Sequence, residues 1–225
     1  VGGAAALLVV LTALVEIGLT FLPGGYATTE TVTDWFTLLQ NDWFMGLRNL
    51  GLLNILMTAF GVPALFAIYT AHRHVNPTFA ALAVTISFIG VAVFYATNRA
   101  FPMLDLSIRY SAANTESERA VLVSAGQALL SVGQSHTPGT FLGFFLSEVG
   151  GILLSLVMLR GRVFSHAAAY AGIAGFGLFL VFEILSSFVP SLRSVALIVA
   201  MGGGLANMAW YILMARRLFQ LGQVR

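Results

Sequence analysis

The chain contains no cysteine and no lysine. The first absence excludes disulfides and thiolate metal sites. The second leaves arginine as the only strong cation, at all 11 basic positions. Charge of either sign is scarce: Asp, Glu, Lys and Arg together make up 9% of the residues, against 58% hydrophobic ones. The pI near 9.3 therefore reflects few charges and not a basic surface. No arginine-rich patch with interleaved aromatics is present, so nucleic acid is not an expected partner. Catalytic signatures are missing too. There is no GxSxG nucleophile turn, no HExxH and no phosphate loop, and Gly202–Gly204 sits inside an apolar run where no dinucleotide fingerprint belongs.

What is present is oil. Mean hydropathy is +0.90, more apolar surface than a soluble domain of 225 residues can hide behind a polar skin. A membrane span needs about 20 mostly apolar residues. Stretches at Ala4–Leu22, Leu47–Ala71, Thr78–Phe101, Gly139–Leu159, Ala167–Val189 and Val195–Arg216 meet that length. The opening run, Val1–Leu22, is long enough to be a span in its own right and not only a signal peptide. Pro23-Gly24-Gly25, Asn76-Pro77, Pro138-Gly139 and Pro190 punctuate the spans. The expected fold is an all-α bundle of six transmembrane helices forming a single transmembrane domain over residues 1–225.

Arginine placement sets the expected orientation. His72, Arg73 and His74, then Arg160 and Arg162, then Arg216, Arg217 and Arg225 fall on one face, which carries no Asp or Glu. That face is expected to be cytoplasmic, with both termini on it and the chain in the cell inner membrane. The opposite face mixes Glu30, Asp34, Asp42, Asp105, Glu116 and Glu118 with Arg48, Arg99, Arg109, Arg119 and Arg193. Its connections are more than linkers. Thr28–Phe44 places Trp35, Phe36, Leu38, Leu39, Trp43 and Phe44 among Asp and Thr, which reads as one amphipathic helix in the headgroup zone. In Pro102–Pro138, Thr115-Glu116-Ser117-Glu118 matches a capping box ahead of an apolar-rich run, Ala120–Val132. Pro102 is expected to kink an extension of the third span.

Chemistry within the spans rests on three carboxylates, Glu16, Glu148 and Glu183. A charge at membrane depth costs about 2.5–3.5 kcal/mol on insertion scales, so each needs a partner, a proton or water. Glu16 and Glu183 fall in the outer half and Glu148 near mid-membrane. Arg48 and Arg99 lie near the outer ends of spans two and three, beside Asn49 and Asn98. Candidate ligand- or proton-binding residues are therefore Glu148, Glu183, Arg99, Glu16, Asn54 and Arg48. Glu148 would act as a protonatable gate and Arg99 as the holder of an anionic head or counter-charge. Arg–Glu pairs that merely pin helices together are the structural alternative. No cofactor is expected. His72, His74 and His166 share one end, but His72 and His74 are two residues apart and point to different sides, so no metal site is expected.

Small residues mark packing seams. Gly51, Asn54, Thr58 and Gly61 form one stripe in the second span; Gly143, Ser147, Gly151 and Ser155 repeat every four residues in the fourth; Gly202–Gly204 precede Asn207 in the sixth. Glu148 lies beside the fourth-span seam, on the side of Gly151 and Ser155. That seam would also permit a homo-oligomer or a place in a larger membrane complex.

Several segments carry a family likeness: Leu106-Ser107-Ile108-Arg109-Tyr110, Glu118-Arg119-Ala120, Gly126–Leu130, Met158–Ser165 and Tyr170–Ile173. Together they resemble an uncharacterised prokaryotic family of six-span integral membrane proteins, a domain of unknown function, over roughly Trp43 to Val189. The resemblance implies six helices in a prokaryotic inner membrane and brings no activity, substrate or catalytic residue. Three functions follow from the residues: binding or transport of a small molecule or proton through an outward-facing polar cavity, a non-catalytic accessory subunit, or an intramembrane lipid-modifying enzyme. Membrane lipids are expected partners in each case.

Overall fold

The computed structural model describes residues 1–21, 29–133 and 136–223. Pro23-Gly24-Gly25, Thr28 and Arg225 lie outside the described residues. The elements are α1 (Gly2–Phe21), α2 (Val32–Asn41), α3 (Trp43–Asn49), α4 (Leu52–His72), α5 (Pro77–Thr97), α6 (Ala100–Ala112), α7 (Glu116–Ser131), α8 (Phe141–Gly161), α9 (His166–Phe188) and α10 (Arg193–Gln223). A 3₁₀ turn at Pro190–Leu192 leads into α10. Among the described residues there is no strand. The stretches beginning at Gly2, Leu52, Pro77, Phe141, His166 and Pro190 are 6 in number and long and apolar enough to cross a membrane. The all-α bundle expected from the sequence is the fold.

The six long helices close into a ring of neighbours: α1 packs on α4, α4 on α5, α5 on α8, α8 on α9, α9 on α10, and α10 returns to α1. Apolar side chains gain little by leaving lipid for one another, so close backbone approach must hold such a ring. Glycine supplies it. A Cβ built on Gly90 of α5 would stand 2.7 Å from the Ser147 backbone nitrogen of α8, and one on Gly150 would stand 2.8 Å from the Ser87 nitrogen of α5. Gly151 faces the other way, where a Cβ would meet the Phe176 ring of α9 at 2.5 Å. The four-residue repeat of α8 is thus divided between two partners: Gly143 and Ser147 face α5, while Gly151 and Ser155 face α9. Gly175 continues the seam, 2.8 Å from the Asn207 nitrogen of α10 by the same measure. Gly51 plays a different part from the one its stripe suggests. At φ 96° it makes the left-handed turn between α3 and α4.

The apolar core fills one half of the ring, towards the ends that carry Arg160 and Arg217. Ile68, Leu154, Met158, Phe176, Trp210 and Met214 are buried there. The α1–α10 contact also lies in this half, where Gly2 and Gly3 meet Leu218, Ala215 and Phe219. In the other half, Leu11, Leu14 and Ile17 of α1 and Ile198, Met201 and Leu205 of α10 are exposed.

A cap of α2, α3, α6 and α7 sits at that second end, built on its own apolar cluster of Trp35, Phe36, Leu39, Leu47 and Met103. Three sequence expectations need correction here. The segment through Phe44 forms two helices and not one, because the Asp42 carboxylate accepts from the Met45 N–H at 2.9 Å and starts α3 afresh. Trp35 and Phe36 are buried against α6 and α7 and not set in headgroups, whereas Trp43 is 59% exposed. Nor does Pro102 kink a continuous helix. The chain breaks at Asn98–Arg99, and Pro102 occupies the first turn of α6, where its missing N–H leaves no hydrogen bond unmade. Its ring would collide with the carbonyl of residue 98 had the helix run on.

Capping boxes start both longer cap helices. The Thr115–Glu118 box forms as the sequence predicts, and Thr31–Asp34 forms a second at the start of α2. The Thr31 side chain, followed by the Thr31 and Glu30 backbone N–H groups, holds the Asp34 carboxylate below its ordinary value of 3.8. The Asn114 and Thr115 N–H groups and the Thr115 hydroxyl hold Glu118 below 4.5. The unfolded chain keeps the ordinary values, so this stabilisation is complete above them and is lost as pH falls through the lower folded-state values. Hydrogen exchange is expected to quicken selectively in the first turns of α2 and α7 below about pH 4, and Asp34→Asn should remove that pH dependence in α2 alone. The seams make a second prediction. Gly150→Leu should lower the thermal unfolding midpoint in detergent, with a cost of about 1–3 kcal/mol for overpacking. Gly177→Leu, which has nothing within 4 Å of its Cβ position, should leave the midpoint unchanged.

Candidate functional site

Five of the six candidate residues fall into three separate arrangements, and Asn54 lies outside them. The first is a direct ion pair. Arg48, in the last turn of α3, is buried, and its guanidinium reaches down to Glu16 of α1. Nη2 donates to Oε1 at 2.9 Å and Nε to Oε2 at 3.2 Å. Nη2 also donates to the Thr20 hydroxyl, one turn beyond Glu16, at 2.5 Å. This two-pronged geometry is the strongest an arginine makes with a carboxylate. It fastens the cap to α1.

The second arrangement belongs to Arg99. It caps α6 at the break after α5 and is 8% exposed. Its Nε donates to the Leu129 carbonyl at 2.7 Å and its Nη1 to the Thr97 carbonyl. Those carbonyls close the last turns of α7 and α5, the negative ends of two helix dipoles. Among the described residues Arg99 makes no ion pair, with Glu148 and Glu183 or with any other carboxylate. Beside it lies a crevice of about 10 Å³ lined by Leu50, Thr97, Asn98 and Thr140. That is room for one water and no larger ligand.

The third arrangement contains the chemistry. Glu183 of α9 is 1% exposed, and one carboxylate oxygen, Oε1, bonds Nδ1 of His136. His136 lies in the segment between α7 and α8, at φ 62°, with its ring 4.4 Å from that of Phe144 and 4.8 Å from that of Phe182. The Ser186 hydroxyl donates to the His136 carbonyl at 3.2 Å and secures the backbone. The second oxygen of Glu183, Oε2, is enclosed and has no hydrogen-bond partner among the described residues, and the same holds for Glu148 Oε2 on α8. The two carboxylates lie within electrostatic range of each other, and Glu148 lies within range of the Tyr211 hydroxyl of α10. That hydroxyl is 3.8 Å from where a Cβ on Gly61 of α4 would stand. Asn207, one turn before Tyr211, is buried, and its Oδ1 has no partner among the described residues; the same holds for the buried Ser187 hydroxyl, one turn after Glu183. Helices α8, α9 and α10 thus carry the titratable and amide groups of this region, which ends against the apolar core at Tyr211.

Asn54 stands apart from this group. It is half-buried on α4, and the polar contact at its level is made by Thr58, whose Oγ1 lies 3.2 Å from the Tyr95 hydroxyl of α5. At the opposite end His72 is fully buried, stacked on Phe164 at 5.4 Å, with Nδ1 at 3.0 Å from the Ile68 carbonyl. His74 receives the Arg73 Nε at 3.0 Å, while His166 opens α9 at an exposed position. Among the described residues no three His, Cys, Asp or Glu side chains converge.

Sequence reasoning placed Glu148 and Glu183 but missed His136, Tyr211, Ser187 and the role of Asn207. A signal existed for two of them: Asn207 and Tyr211 are four apart on one helix face. His136 had only its level to recommend it, at the same end as Glu183.

No family model, curated protein or solved structure matches this chain. Its chemistry must be read from its own residues.

The Glu16–Arg48 pair yields a direct test. Glu16→Gln leaves a buried guanidinium facing an amide in place of a carboxylate, and should destabilise the detergent-solubilised protein by about 1–3 kcal/mol. The exchange Glu16→Arg with Arg48→Glu should recover part of that loss, measured by thermal unfolding of single and double variants.

Proposed function

We infer that this integral membrane protein takes up protons at Glu148 and Glu183 and couples them to the binding or transport of a small solute entering from the cap side. The observation that carries the reading is the pair of carboxylates on α8 and α9 within electrostatic range of each other, each with an enclosed oxygen that has no hydrogen-bond partner among the described residues. Two carboxylates in one apolar site are poorly tolerated as two charges. A proton on one of them lowers the charge and turns an orphaned acceptor into a donor. That donor then has an acceptor to meet in the partner carboxylate or in an incoming solute.

His136 provides the approach. Its side chain is 31% exposed while bonded to Glu183, which is 1% exposed, so it links the surface of the cap end to the enclosed pair. The polar series His136, Glu183, Glu148 and Tyr211 stops where the core of Leu154, Phe176 and Trp210 begins. Transport through that half requires the core to open, and the exposed upper parts of α1 and α10 give the ring room to do so. The setting proposed is a prokaryotic inner membrane, with both termini and the arginine-rich end in the cytoplasm, in line with the positive-inside rule.

A second reading is supported by the other two arrangements. Arg48 is spent on Glu16, and Arg99 on helix carbonyls. A scaffold or accessory subunit needs just such fixed cations, with the cap as its docking face.

Proton flux into liposomes containing the purified protein separates the two. Under the first reading the wild-type protein collapses an imposed pH gradient. Glu148→Gln should slow this by about 100-fold, the scale of a lost proton-transfer group, with thermal stability retained. Equal flux in wild type, variant and empty liposomes would point to the accessory role.

A further inference from the structure

We propose that the groove between the start of α5 and the end of α8, at the arginine-rich end of the bundle, is a binding site for one anionic phospholipid. The headgroup phosphate is held by Arg160 and an acyl chain lies along the groove. The groove has about 100 Å³ of open space. A single water needs only about 10–15 Å³, so the space suits a chain segment. Its walls are Phe79 and Leu82 of α5 and Leu153 and Leu156 of α8, with Asn76 and Arg160 as the polar groups.

The distribution of those groups defines an amphiphile. α5 and α8 run antiparallel, as the facing of Gly90 on Ser147 and of Ser87 on Gly150 requires. The first residues of α5 therefore lie level with the last residues of α8, and Asn76 and Arg160 share one end of the groove. Leu153 is seven residues deeper, about 10 Å along the helix axis. Polar recognition is confined to the mouth, and everything beneath it is apolar.

Arg160 is exposed, and among the described residues no carboxylate, carbonyl or ring holds its guanidinium. Asn76 stands at the N-cap of α5 without using its side chain to cap the helix. Both are free to meet a ligand. A guanidinium binds phosphate oxygens through two parallel N–H bonds. Arg73, Arg162, Arg216 and Arg217 share this end, and the sequence places no Asp or Glu among them, so the local field favours an anionic lipid over a zwitterionic one. Free phosphate would use the mouth and leave the apolar trench empty. A lipid uses both.

Native mass spectrometry of the full chain, released from detergent and titrated with phosphatidylglycerol or phosphatidylcholine of the same acyl composition, tests the site. The wild-type protein should retain one phosphatidylglycerol with preference over phosphatidylcholine, and excess inorganic phosphate should not displace it. Arg160→Gln should weaken phosphatidylglycerol retention about tenfold and abolish the preference. Leu156→Trp, which fills the groove from an exposed position, should weaken retention of both lipids. Arg193→Gln, at the cap end, should change nothing. Equal retention of the two lipids by the wild-type protein, unchanged retention by Arg160→Gln, displacement by phosphate alone, or a dimer that seals the groove would each overturn the proposal. None of these readouts depends on Glu148, so the lipid site and the proton reading stand or fall separately.

Discussion

Close approach of backbones through glycine and serine is the constraint on which this bundle depends. In lipid, a leucine on a neighbouring helix is no better company than an acyl chain, so packing must come from surfaces that fit closely. The α5–α8–α9–α10 side of the ring meets that requirement at Gly90, Gly150, Gly151 and Gly175, each of which stands where a methyl group would strike a neighbour. Glu148 is flanked by Ser147 and Gly150 on the same helix. The seam that sets the spacing of α8 against α5 and α9 therefore also fixes the position of the carboxylate. A helix held less closely would leave that carboxylate free to turn towards lipid or water.

The polar groups of the membrane half follow a division of labour. Cations are bound to fixed structure: Arg48 to a carboxylate of α1, Arg99 to the carbonyl ends of α5 and α7. Both tie the cap to the bundle. Oε2 of Glu148, Oε2 of Glu183 and Oδ1 of Asn207 have no donor among the described residues, while Oε1 of Glu183 is held by His136. Buried polar atoms are usually satisfied, and an unmet carboxylate oxygen is satisfied by a proton or by a solute that donates to it. Placing the cations elsewhere keeps that region from being neutralised permanently by an ion pair.

Much of this fold was legible in the sequence, because span length and hydropathy are one-dimensional properties. The six spans, the Thr115–Glu118 box and the depth of each carboxylate could all be read along the chain. What could not be read was azimuth and neighbour order. Glu16, Glu183, Arg48 and Arg99 share a level, and level alone suggests one cluster. The structure divides them, since α1 and α9 are not neighbours in the ring. The break at Asn98–Arg99 falls on a polar dip, Thr97-Asn98-Arg99, but Pro102 three residues on drew the expected discontinuity to the wrong place. The Thr31–Asp34 box escaped because aspartate replaces the longer carboxylate of the usual pattern. His136 gave no periodic signal at all, being in a connection.

The break after α5 has a mechanical meaning. The chain passes between bundle and cap at Gly51, from α3 into α4, and again at Asn98, from α5 into α6. The Asn98 side chain joins these two crossings by donating to the Leu50 carbonyl at 3.2 Å, while its own Oδ1 accepts from the Ala100 N–H at 2.9 Å. Two covalent strands and the bonds between them thus meet at a single pivot. A displacement of α6 at this point is therefore passed to the start of α4 through one side chain, without travelling along either helix.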